Sequence, residues 1–115
     1  ALNARYKQNY EPFLWLQKPP SKWRGDTKQR ACWDWRREPS NEFHPTQKPR
    51  ELIMKMILNS SDKNDIILDP FMGSFTTAVA AESLGRKWIG CDLSEKYCQV
   101  GEDRLRVLRS QPQLL

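Results

Sequence analysis

The sequence predicts an α/β fold in which a mostly parallel sheet is flanked by helices, and three observations carry that prediction. The apolar run Ile66-Ile67-Leu68 stops at Asp69-Pro70, passes a Gly-Ser turn and reopens as an alanine-rich helical stretch around Ala78–Ala81. A second apolar run, Trp88-Ile89-Gly90-Cys91, ends on another acid, Asp92. The strand–helix–strand–helix order from residue 65 to 109 then calls for parallel strands joined by a right-handed crossover.

The elements follow in order. Residues 10–18 form a short apolar-aromatic run that reads as a strand, with Pro12 placing it at an edge or a bulge. Residues 19–29, with Pro19, Pro20, Gly25 and Asp26, read as an exposed loop. Residues 31–36 alternate apolar and polar and read as a second short strand. These two strands are expected to complete the sheet, one of them antiparallel. Glu38 to Pro45 is irregular. Pro49 suits the first position of a helix, after which Leu52, Ile53, Met56 and Ile57 share one face, and that helix should end near residues 59–61. Asp65 to Asp69 is the first buried strand. Ser74 is the expected N-cap of the next helix and Gly85 its stop. Lys87 to Asp92 is the second buried strand. Ser94 should cap a final helix carrying Tyr97, Cys98, Leu105 and Leu108, with fraying from Gln111.

Composition narrows the function classes. At 115 residues the chain fits one domain with a modest core. A hydrophobic fraction of 38% and a mean hydropathy of -0.79 predict a thin core. No apolar run approaches the roughly twenty residues of a membrane span, and the start lacks a signal-peptide pattern, so a cytoplasmic location is expected. Cys32, Cys91 and Cys98 show no Cys-x-x-Cys spacing, and His44 is the single histidine, so neither a disulfide framework nor a metal site is expected.

Charge is placed unevenly. Residues 1–50 carry 11 Lys and Arg against 5 Asp and Glu, whereas residues 51–115 carry 8 against 9. The N-terminal part also holds Trp15, Trp23, Trp33 and Trp35, four of the five tryptophans. Basic side chains interleaved with aromatics suit a phosphate backbone with stacked or flipped bases. The same pattern is equally that of a solvated basic loop whose tryptophans serve as core. On the first reading Lys22, Arg24, Arg36 and Arg37 are the candidate DNA contacts.

The turn at residues 69–77 carries the chemistry. A strand that ends in a tight turn and reopens as a helix points helix N-terminal N–H groups and one carboxylate at a single spot beyond the strand. Asp92 follows Asp69 at close to the roughly twenty-residue gap at which a second-strand acid meets a ribose hydroxyl. Together these predict a site for a nucleoside-bearing cofactor. Asp69 either faces that ligand or caps its own turn; Asp92 either accepts from a ribose or serves as a favourable charge at a helix N-terminus.

His44-Pro45-Thr46-Gln47-Lys48-Pro49, the helical Leu52 to Ile57, Asp69-Pro70-Phe71-Met72-Gly73-Ser74-Phe75-Thr76-Thr77, Gly85 to Asp92 and Tyr97 form an ordered series. That series closely resembles the C-terminal part of the amino-methyltransferases of DNA, which methylate adenine N6 or cytosine N4. The resemblance covers residues 44 to about 105, and Tyr10 to Leu14 more loosely. It implies a partial Rossmann-like methyltransferase fold with S-adenosylmethionine as cofactor. Thr46, Gln47 and Lys48 would then lie alongside the methionine portion, Asp69 at the amino-acid end, and Phe71 on the pocket wall. Gly73 and Ser74 would offer backbone N–H groups to the cofactor carboxylate, and Asp92 would accept from the ribose hydroxyls. DNA is the implied partner. The chain divides into a basic, Trp-rich segment, residues 1–43, and a cofactor-binding segment, residues 44–115.

Two departures qualify the match. The family turn usually has Gly where this chain has Phe75, and a benzyl group there is expected to fill the methionine end of the pocket. The family's catalytic tetrapeptide, an Asp, Asn or Ser followed by Pro-Pro and an aromatic, is absent, since the one Pro-Pro reads Lys18-Pro19-Pro20-Ser21. In the subgroup where that motif precedes the cofactor motifs it would lie upstream of Ala1. The expected function is therefore that of the C-terminal part of a longer DNA methyltransferase, adenine N6 preferred, inactive alone and completed by an N-terminal catalytic half or a second chain. The alternative is a non-catalytic remnant that binds DNA or a partner chain. A nicotinamide-dinucleotide fold is disfavoured, because no Gly-x-Gly-x-x-Gly occurs.

Overall fold

A computed structural model describes residues 10–35 and 47–112, and Pro49 opens the first regular element among them. Helix α1 (Arg50–Ser60) begins one residue after Pro49, which sits at the N-cap rather than at the first helical position. At its end Ser60 and Ser61 donate back to the Met56 and Ile57 carbonyls, at 2.9 and 2.7 Å, in place of a glycine cap. Strand β1 (Ile66–Asp69) follows, then helix α2 (Thr76–Ser83), strand β2 (Lys87–Gly90) and helix α3 (Glu95–Ser110).

The two strands pair in parallel, with Ile67 opposite Trp88 and Asp69 opposite Gly90. The small residues Ala78, Ala80 and Ala81 are buried without remainder, so α2 lies close to both the sheet and α1. Gly85 adopts a positive φ of 72° just past the end of α2, a conformation glycine takes without a Cβ penalty. Ser94 accepts the Tyr97 N–H at 3.3 Å and starts α3 as the sequence predicts.

Two apolar clusters form the core. Met72, Phe75, Ala78, Val79 and Leu105 fill the space between α2 and α3, while Ile57, Ala80 and Ala81 join α1 to α2. Trp88 packs against both clusters, and its indole N–H donates to Glu82 at 3.1 Å. Arg86, almost fully buried, ties the end of α1 to the α2–β2 loop through Ser61 and Leu84.

Three expectations are corrected here. Neither strand is buried on both faces: Ile66, Leu68 and Ile89 are 61, 69 and 57% exposed, because α2 covers one face of the sheet and nothing among the described residues covers the other. Residues 10–18 and 31–35 form no strand, and the sheet has two strands among the described residues. A strand needs a neighbour for its N–H and C=O groups, and Pro12, Pro19 and Pro20 have no N–H to offer. This segment instead lies along α1. The Arg24 N–H donates to the Asn59 carbonyl at 3.0 Å, the Phe13 and Trp33 rings pack at a tilt with centroids 5.1 Å apart, and Lys55 sits 4.1 Å above the Trp33 ring. Third, Ser74 is not the N-cap of α2; Phe75 holds that position, with φ 63° and no side-chain cap. The irregular stretch 38–45 and the residues after 112 lie outside the described residues.

Candidate functional site

Beyond the carboxyl ends of β1 and β2 lies a cleft of about 280 Å³. That is where open parallel sheets place their ligands, because strand ends, turns and helix N-termini converge there. Gln47, Lys48, Asp69, Phe71, Gly73, Ser74 and Asp92 all line it. Seven residues expected from sequence to surround one ligand are thus brought together in space. Thr46 lies outside the described residues.

Each position has a local cause. Leu68 and Asp69 end β1, and the chain turns with the Phe71 N–H donating to Asp69 Oδ1 at 2.9 Å. Asp69 therefore caps its own turn while still lining the cleft. Beyond the strands the pairing continues as Cys91 N–H to Asp69 C=O at 3.3 Å and Met72 N–H to Cys91 C=O at 3.1 Å. This brings the two post-strand turns side by side. Asp92 joins them: one carboxylate oxygen accepts from the Gly73 N–H and the other from the Ser94 N–H, each at 2.8 Å. The Gly73 N–H expected to face a ligand carboxylate is thereby held by Asp92.

Gly90 makes room for Met72. A Cβ at Gly90 would lie 1.9 Å from Met72 Sδ and 2.6 Å from the Asp69 carbonyl oxygen, so no other residue fits without displacing the turn. Lys48 pairs with Glu11 of the N-terminal segment, which brings that segment to the rim of the cleft. The side chain of Ser74 is held by Gln47 at 3.4 Å and by Arg104 of α3 at 3.0 Å.

Phe75 is a further correction. Its ring does not enter the cleft. It is buried between α2 and α3, 5.9 Å from the Trp88 ring in an edge contact, and a Cβ at Gly101 would lie 2.1 Å from its Cγ. The left-handed backbone at this position explains why the related turn carries Gly: glycine enters that region freely, whereas Phe does so at a cost of about 1–2 kcal/mol. The benzyl group turns inward because the missing side chain of Gly101 leaves space for a ring on α3.

Ile53, Thr76 and Thr77 also line the cleft, though sequence reasoning did not assign them to a ligand; Met72, which the sequence places either on the pocket wall or in the core, does both. The two threonines had a signal: they occupy the first turn after the glycine turn, where helix N–H groups lack intrahelical acceptors. Ile53 had none, since its face was read as core.

The basic candidates lie elsewhere. Lys22 is exposed and Arg24 half-buried, and both line a smaller groove of about 140 Å³ with Trp15, Lys18 and Asn59. Arg24 pairs with Asp62 at 2.7 Å. That hydrogen bond raises the Arg24 pKa and lowers that of Asp62. Arg24 is thus committed to the end of α1. Arg36 and Arg37 lie outside the described residues. Among the described residues no group of three or more His, Cys, Asp or Glu is placed to hold a metal ion, and no helix is long and apolar enough to cross a membrane.

Fold and cleft together define an α/β protein with a cleft at the ends of two parallel strands, where two acids meet a helix N-terminus. Residues 1–103 match the DNA methylase family, and the chain belongs to it. It is 47% identical over 75 residues to the type II methyltransferase M.HinfI of Haemophilus influenzae, covering 65% of this chain and 21% of that protein. It is 52% identical over 66 residues to the DNA adenine methyltransferase YhdJ of Escherichia coli K12, covering 57% of this chain and 22% of that protein. The chain thus spans about a fifth of the length of these relatives. The crystal structure of the M1.HpyAVI–SAM complex superposes with a TM-score of 0.61 at 36% identity, over 73% of this chain and 44% of that one.

Proposed function

We propose that this chain is the cofactor-binding C-terminal part of an S-adenosylmethionine-dependent DNA methyltransferase that modifies an exocyclic amino group, adenine N6 in preference to cytosine N4. The observation that carries the reading is the convergence of Gln47, Lys48, Asp69, Gly73, Ser74 and Asp92 on one cleft at the strand ends. The names of the adenine-methylating relative and of the SAM-bound structural neighbour support the target and the cofactor.

The donor set suits such a ligand. Asp92 lines the cleft just past the end of the second strand, where an acid suits ribose hydroxyls. Asp69 offers a carboxylate to the ammonium of the amino-acid end, and Ile53, Phe71 and Met72 give the cleft its apolar wall. Bound there, the cofactor supplies a methyl group activated by its sulfonium, and the protein's part is binding and orientation. The target base must leave the duplex to be reached. No Pro-Pro-aromatic motif is present to grip it, so the chain alone should transfer no labelled methyl to duplex DNA above background; measurable transfer would overturn that part of the reading. Residues 1–43 are the proposed DNA-facing segment and residues 44–115 the cofactor segment.

Titration calorimetry tests the site. The unmodified chain should bind S-adenosylhomocysteine, and Asp92→Ala should weaken binding by about 1.5–3 kcal/mol, the scale of a hydrogen bond to a charged group. A thermal melt of the variant separates this loss from unfolding, because Asp92 also joins two turns. Equal affinity in both forms would sink the assignment of Asp92.

One observation favours the second reading, in which the chain is a methyltransferase-like remnant that binds a partner chain. Ile66, Leu68 and Ile89 stand exposed on one face of the sheet, with Phe71 and Leu93 exposed nearby in sequence. Contiguous apolar surface of this kind marks an interface. A preceding half of the same enzyme would cover it equally well.

A further inference from the structure

We propose that the groove between residues 15–24 and the end of α1 is a contact for single-stranded DNA, in which Lys18 and Lys22 meet the phosphate backbone and Trp15 stacks on an unpaired base. The proposal rests on the DNA reading of residues 1–43 above, and gives that segment a place and a preferred form of DNA.

The groove has a fixed frame. The Arg24 N–H donates to the Asn59 carbonyl at 3.0 Å, the Arg24 guanidinium donates to the Lys22 carbonyl at 2.7 Å, and the Asn59 amide donates to Gln29 at 2.8 Å. Gly25 permits this approach, since a Cβ there would lie 2.4 Å from Asn59 Oδ1 and 2.7 Å from the Trp23 ring. Trp15 is held by an edge contact with Trp23, with centroids 5.3 Å apart and planes at 74°, yet remains 53% exposed.

The lining is suited to a nucleotide strand. Trp15, Lys18, Ser21, Lys22, Asn59 and Ser60 contribute to it, and no acid does. Asp62, whose charge Lys22 also meets at longer range, is bound by Arg24. Arg24 and Asp62 offset one another, so Lys18 and Lys22 are the surplus charge of the groove. Cations beside hydroxyl and amide donors suit phosphates, and an exposed indole suits the face of a base. A duplex keeps its base faces stacked on one another, whereas an unpaired strand presents them.

The groove is separate from the cofactor cleft. The cleft meets the start of α1 at Gln47, Lys48 and Ile53, the groove meets its end, and the two share no lining residue. A helix of 11 residues is about 16 Å long. A base stacked in the groove therefore lies apart from the cofactor, and the contact anchors a strand rather than presenting the base to be methylated.

Fluorescence anisotropy tests this with the full chain, a labelled oligothymidylate and a labelled duplex of the same length. The unmodified chain should bind the single strand more tightly. Trp15→Ala should lower that affinity about five- to a hundred-fold, the value of one stacked base, and leave duplex affinity within about two-fold. Trp15→Phe should keep most of it. If circular dichroism shows that Trp15→Ala disturbs the fold, Trp15→Leu keeps bulk against Trp23 without a stacking ring, and the same loss is expected. Replacing Lys18 and Lys22 together by Gln should reduce the slope of log affinity against log salt by about 1.4, two phosphate contacts on a single strand. Equal losses for both forms of DNA in Trp15→Ala, or a salt slope unchanged by the lysine replacements, would overturn the groove assignment while leaving the DNA reading in place. Polyglutamate competing as well as an oligothymidylate of equal charge would make the groove a site for acidic peptides and overturn it too. Failure of the unmodified chain to bind either form of DNA would overturn the DNA reading itself, and the groove with it.

Discussion

At the scale of single residues, Phe75 separates what a position demands from what its side chain does. The backbone there is left-handed, and the ring is buried against Gly101 and Trp88. Phe75→Gly would relieve about 1–2 kcal/mol of backbone strain but forfeit a core ring, a loss of about 3–5 kcal/mol in comparable truncations. Net destabilisation of about 1–4 kcal/mol is expected from urea melts. Affinity for S-adenosylhomocysteine in the folded form should not rise, because the ring lies outside the cleft. A variant that bound the ligand more tightly would show that the benzyl group reaches the site after all. Asp92 teaches the complementary point, for its carboxylate organises the cleft by joining the Gly73 and Ser94 turns before any ligand arrives.

At the scale of elements, α2 and α3 are fastened at opposite ends by different chemistry. Arg104 meets the start of α2, and at its far end Arg109 grips Glu82 with two hydrogen bonds, of 2.6 and 2.9 Å. The Arg109 guanidinium, with a further hydrogen bond from the Trp88 indole, holds the Glu82 pKa below its ordinary value. A depressed carboxylate pKa contributes stability that is fully present above the unfolded value, near 4.3 for Glu. That stability is lost as pH falls through the lower folded value. Thermal melts of the unmodified chain should therefore fall on acidification below about pH 4.3, and Arg109→Met should flatten part of that slope by lowering stability modestly at pH 7 while leaving the acid end little changed. A slope identical in the two proteins would remove this pair from the acid response. The pair is half exposed, so its share is modest.

At the scale of the whole molecule, basic charge is concentrated in the first part of the chain. The excess of Lys and Arg lies in residues 1–50, while the bare sheet face lies on β1 and β2. DNA affinity should therefore reside in the first fifty residues and weaken steeply with salt, because phosphate contacts release counterions. Charge reversal at Lys18 and Lys22, both exposed beside Trp15, should lower it, whereas reversal at Arg24 should chiefly cost stability through Asp62. Filter binding across a salt series checks both statements. Salt-independent affinity, or affinity unaffected by the lysine changes, would refute the placement.

Most of the site was legible in the amino-acid order because it is built from local rules and one register. An apolar run, a turn with Gly73 and a helix can be read along the chain, and two acids that end adjacent parallel strands must become neighbours, since paired strands lie about 4.8 Å apart. Asp69, Phe71, Gly73, Ser74 and Asp92 were found that way, whereas Gln47 and Lys48 came from the family resemblance alone. The expected strands at 10–18 and 31–35 were not, because a strand exists only if another strand receives it, and here α1 receives that segment instead. The inward turn of Phe75, the grip of Arg104 on Ser74 and the commitment of Arg24 to Asp62 likewise depend on residues 26 to 38 positions away in the chain. The sequence by itself determined the order of the elements and the chemistry at the strand ends. Only the tertiary structure decided which side chains face the cleft and which face the core, because that choice is made by what packs on the other side.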